Sequence, residues 1–65
     1  MLTMQEKIAF VAEVFKLPAN LSVEDTVNAA VLKRADILLT PTEMELSAEK
    51  KLDIIHFDAT LEFEP

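Results

Sequence analysis

Apolar residues recur at helical spacing through the first part of the chain. Met4, Ile8, Val11 and Phe15 fall on one face, and Phe10, Val14 and Leu17 widen it. Thr3 stands three residues ahead of Glu6, the spacing at which a threonine hydroxyl and a glutamate carboxylate each satisfy the other's backbone N–H at a helix start. Pro18 marks the end, because the residue before a proline is pushed away from helical dihedrals. The pattern predicts a first helix over 4–17.

The stretch "NLSVED" restarts the period. Ser22 serves as cap, with Asp25 as a shorter version of the capping-box acid, and Val23, Val27, Ala30 and Val31 form the buried stripe. Glu24 and Asp25 lie where the helix dipole favours anions, and Lys33 and Arg34 lie where it favours cations. A second helix is predicted over 23–35.

Two readings compete over "ILLTPTEMELSAEKKLDII". In the first, Thr40 caps, Pro41 occupies the first turn, Glu43 completes another capping box, and Met44, Ala48, Leu52 and Ile55 face inward, which predicts a third helix over 41–53. In the second, Met44, Leu46 and Ala48 alternate with polar neighbours, and a hairpin turns at "AEKK". Tight hairpin turns ask for positive φ, and "AEKK" offers no Gly, Asn or Asp in a chain without any glycine. The helix is the better choice.

From Ile55 onward the period changes. Ile55, Phe57, Ala59, Leu61 and Phe63 alternate with His56, Asp58, Thr60, Glu62 and Glu64, which predicts a C-terminal β-strand over 55–64. Such a strand needs a neighbour, either the short apolar run at 36–40 or the sheet edge of a partner chain. The expected architecture is α+β, mainly α, in one small domain spanning 1–65.

Sixty-five residues bury a marginal core, and 51% of them are apolar, more than so small a domain easily hides. With no cysteine to supply a disulfide, association with other chains is the expected means of covering the excess. No segment approaches the roughly 20 apolar residues that span a bilayer, and "MLTMQEK" lacks the basic start of a signal peptide. An intracellular setting, or a place in a larger assembly, is expected.

Charge divides the chain. Acids and bases balance over residues 1–35, so the net charge of −6 belongs to residues 36–65. Direct nucleic-acid binding, which rests on Lys and Arg neutralising phosphates, is not expected of such a surface.

Candidate chemistry is thin. His56 and Asp58 share a strand face, yet a metal site wants three or four ligands and there is no second His or any Cys. Carboxylate pairs such as Glu43/Glu45 and Glu62/Glu64 lie on solvent faces rather than in a pocket that would drive their pKa values apart. Without glycine there is no phosphate-cradling loop. No catalytic residue, cofactor or metal is expected.

The function expected from these features is a small non-catalytic protein-interaction module, an adaptor, assembly or accessory subunit. It would act on a protein partner or a second copy through the apolar strand face of Phe57, Ala59, Leu61 and Phe63. The alternative is an acidic inhibitor that presents Glu43, Glu45, Glu49, Asp58, Glu62 and Glu64 to the basic groove of a DNA- or RNA-binding protein.

Overall fold

In a computed structural model, which describes residues 1–34 and 38–63, the protein is a bundle of three helices: α1 Met4–Phe15, α2 Val23–Lys33 and α3 Ala48–Glu62. A single 3₁₀ turn, Glu43–Glu45, precedes α3. No β-strand occurs among the described residues. The C-terminal segment expected as a strand over 55–64 is helical through Glu62, so neither pairing open to it, with 36–40 or with a partner's sheet, has a strand to work with.

The reason lies in how two helical stripes interleave. Ile55 and Ala59 are four residues apart on the inner face of α3, and Phe57 and Leu61 are four apart on the outer face. Offset by two, the stripes reproduce the alternation of a strand. Burial tells them apart: Leu52, Ile55 and Ala59 are fully buried, while Phe57 and Leu61 remain 62% and 54% exposed. A strand would have put Phe57 and Ala59 on the same face.

The start of α3 is also corrected. Thr40 and Glu43 do form the reciprocal box, with the Glu43 carboxylate accepting from the Thr40 amide at 2.8 Å and the Thr40 hydroxyl accepting from the Glu43 amide at 3.2 Å. This box opens one turn only. Leu46 turns extended (φ −74°, ψ 165°), and Ser47 caps afresh by accepting from the Lys50 amide at 3.3 Å. The third helix therefore begins at Ala48 rather than at 41 and runs well past 53.

The first two helices lie close to their predicted positions. The Thr3–Glu6 box is present in full, and Ser22 accepts from the Asp25 amide at 3.1 Å. Helix α1 ends at Phe15 because Lys16 adopts the left-handed conformation at φ 61°, and the amides of Lys16 and Leu17 both donate to the Ala12 carbonyl. This left-handed cap position is one usually assigned to glycine. The predicted end of α2 at 35 lies outside the described residues, and the helix itself ends at Lys33.

All three helices contribute to one core: Ile8, Val11 and Phe15 from α1, Val27 and Ala30 from α2, and Leu52, Ile55 and Ala59 from α3. Leu38 and Leu39 join it from the α2–α3 connection, within the 36–40 run that the alternation pattern offers as a second strand; its residues 36 and 37 lie outside the described ones. Thr26 is fully buried, its hydroxyl donating to the Ser22 carbonyl at 2.7 Å. Polar ties link the helices at the surface. Lys7 of α1 meets Asp53 of α3 at 2.5 Å, and Arg34, at the end of α2, pairs with Glu62 near the end of α3 and lies 5.5 Å from the centre of the Phe15 ring.

Candidate functional site

The four residues of the expected strand face are placed in three environments. Ala59 is in the core. Phe63, just past α3 and 59% exposed, turns towards α1 and meets the Phe10 ring edge-on at 5.6 Å. Phe57 and Leu61 stand one turn apart on the side of α3 opposite the core, with half-buried Ile54 a turn before Phe57. An exposed phenylalanine and leucine at this spacing form an apolar strip pointing at solvent. The strip is continued towards the helix start by exposed Lys50, so that Lys50, Ile54, Phe57 and Leu61 have a 4-3-4 spacing.

That spacing is the seam of a helix-to-helix contact, with Lys51 and Asp58 on one flank and Asp53 and Thr60 on the other. Ile54, Lys50 and Lys51 carry this geometry, and a strand reading of their neighbours hides them as site residues. Lys50 and Lys51 follow Glu49 at the N-terminal end of α3, while its last turn holds Glu62 and no base. Glu49 suits the dipole of α3, but Lys50, Lys51 and Glu62 oppose it, in contrast to α2, which opens on Glu24 and Asp25 and closes on Lys33.

The acidic residues do not form a common face. Glu43 is engaged with the Thr40 amide and Glu62 with Arg34. Glu45 and Glu49 are exposed on the connection and the first turn, Asp58 is half-buried beside Phe57, and Glu64 lies outside the described residues. His56 is half-buried against the Phe10 ring, at 5.3 Å between centroids, and no group of three or more His, Cys, Asp or Glu among the described residues could hold a metal ion. No helix among them is long and apolar enough to cross a membrane.

A groove of about 590 Å³ lies between the end of α2 and the 3₁₀ turn, with Leu38 and Leu39 as its apolar floor, Val31 and Met44 on its walls, and Arg34 and Glu45 at its edge. Its size suits a small molecule. A small-molecule site also needs convergent polar groups to orient the ligand, and the groove lining is predominantly apolar. No family model, curated protein or solved structure matches the chain.

Proposed function

We propose that this chain is a small non-catalytic protein-interaction module, an adaptor, assembly or accessory subunit working inside the cell or within a larger assembly. It engages its partner through the outer face of α3. The observation that carries this reading is the position of Phe57 and Leu61, 62% and 54% exposed on the side of α3 that points away from the core. Water-facing apolar side chains contribute nothing to the monomer's core, and burying both against a partner helix would release roughly 25 cal/mol for each Å² covered. The acidic-inhibitor reading draws less support, because Glu43 and Glu62 are held within the fold and the remaining acids are scattered.

The test is affinity capture with wild type, Phe57→Asp and Leu61→Asp, at low salt and at about 0.5 M salt, where exposed charges are screened beyond a few Å. Both substitutions fall on exposed positions, so circular dichroism should show the helices retained. Loss of the captured protein with either variant, and its retention in high salt, is the expected result. Capture that is unaffected by both variants would refute the reading.

A further inference from the structure

Resting on that reading, we infer that the occupant of the α3 outer face is a second copy of the chain, whose α3 lies antiparallel to the first. The 15 residues of α3 span about 22 Å, and their outer seam is Lys50, Ile54, Phe57 and Leu61. In an antiparallel pair about a two-fold axis, the contacts are reciprocal. Ile54 of each copy meets Phe57 of the other, and Leu61 meets the aliphatic stem of Lys50, so both ends of the seam are covered in one register.

The same register brings together the charges that the monomer leaves unbalanced. Lys51 and Asp58 lie on the same flank of the seam, and antiparallel packing sets like flanks face to face. Lys51 of each copy then faces Asp58 of the other, giving two symmetric ion pairs. In the single chain neither residue makes an ion pair with another described residue, and Lys51 has only a 3.4 Å bond from its Nζ to the Met44 carbonyl. Lysines in the first turn also oppose the dipole of their own helix, and the carboxylates near the end of an antiparallel neighbour offset this. Parallel packing would set unlike flanks face to face and bring Asp53 of each copy against Asp58 of the other, two repulsive pairs. A second copy supplies the reversed charge pattern without any further assumption about sequence.

Three apolar side chains per copy cover far less than the roughly 800 Å² per partner of a standard interface, so the dimer is weak, with a dissociation constant of about tens of micromolar. Sedimentation equilibrium of the full chain, from low micromolar to about 0.5 mM, reads it directly. Lys51→Glu and Asp58→Lys are each expected to weaken self-association about tenfold, by replacing two attractive pairs with two repulsive ones. An equimolar mixture of the two variants restores both pairs and is expected to form a 1:1 heterodimer of wild-type strength, counted by native mass spectrometry. Circular dichroism of each variant at low micromolar concentration, where association is minor, is expected to show the helix content of wild type, so weakened association cannot be ascribed to unfolding.

A wild-type chain that stays monomeric at the highest concentration overturns the inference, as does a mixture that fails to recover. Tighter self-association of Asp58→Lys alone would indicate parallel packing, in which the new lysine meets Asp53, and overturn it equally. If the chain is monomeric but Phe57→Asp still loses a captured protein, the interaction face stands and the second copy is not its occupant.

Discussion

The Phe10 ring of α1 meets two rings from the α3 segment edge-on, His56 at 5.3 Å and Phe63 at 5.6 Å between centroids. It is the half-buried residue that joins α1 to the far end of α3, beyond the Lys7–Asp53 tie. Edge-to-face pairs contribute about 0.5–1.5 kcal/mol beyond the area they bury. Phe10→Ala is therefore expected to cost about 2–3 kcal/mol, somewhat below the range for a fully buried phenylalanine. Phe10→Leu, which keeps apolar volume and removes the ring, should recover about half of that loss. Urea unfolding of the three proteins measures both steps. Equal stability of Phe10→Ala and wild type would show that the ring contacts contribute nothing to holding α3.

Positions 57 and 59 should respond in opposite ways, because helix rotation separates them. Ala59 is fully buried, so Ala59→Leu forces extra methyl groups into a filled core and is expected to cost about 1–3 kcal/mol. Phe57→Ala removes a largely exposed ring and should stay within about 0.5 kcal/mol, measured at low micromolar concentration where association is minor. Similar losses at both positions would revive a shared face and contradict the helix.

The contrast between α1 and α3 shows what can be read from residue order. In α1 the large apolar residues Met4, Ile8, Val11 and Phe15 lie on one side, Thr3 and Glu6 announce the start, and the helix emerges from those residues alone. In α3 the apolar residues lie on both sides, so the spacing that distinguishes helix from strand is lost at Ile55 to Phe63. The absence of glycine argues against a hairpin at "AEKK", and the same absence weighs against a paired strand further on. Phe57 and Leu61 stand out as contact residues for their apolar character, which holds in either geometry. Ile54, Lys50 and Lys51 join them only once the backbone is helical. The capping signal at Thr40 is a true local hydrogen-bond pattern, but such a box closes a single turn as readily as it opens a long helix.

Lys16 shows a cost that no residue pattern announces. Holding a residue with a Cβ at φ 61° costs about 1–2 kcal/mol relative to right-handed backbone, and glycine escapes most of it. Lys16→Gly is expected to stabilise the protein by about 0.5–1 kcal/mol after allowing for the added freedom of the unfolded chain. Lys16→Val should destabilise it, because a β-branched side chain is least tolerant of this region. Thermal melts of the pair decide the matter. A glycine variant that melts below wild type would show that the Lys16 side chain contributes more than its backbone conformation costs.

Two caps compete for the start of the third helix, and their substitution separates them. Ser47 satisfies an N–H of a helix that carries Leu52, Ile55 and Ala59 into the core, so Ser47→Ala should cost about 1 kcal/mol. Thr40 supports only the Glu43–Glu45 turn, whose residues are not buried, and that turn can fray without moving α3. Thr40→Ala is accordingly expected to cost less than about 0.5 kcal/mol. Backbone chemical shifts should show continuous helix from Ala48 in both variants, with loss of order in Thr40→Ala confined to residues 40–46. If Thr40→Ala proves the more damaging, or if shifts place residues 41–47 in regular helix, then α3 starts at the proline after all and the break at Leu46 is wrong.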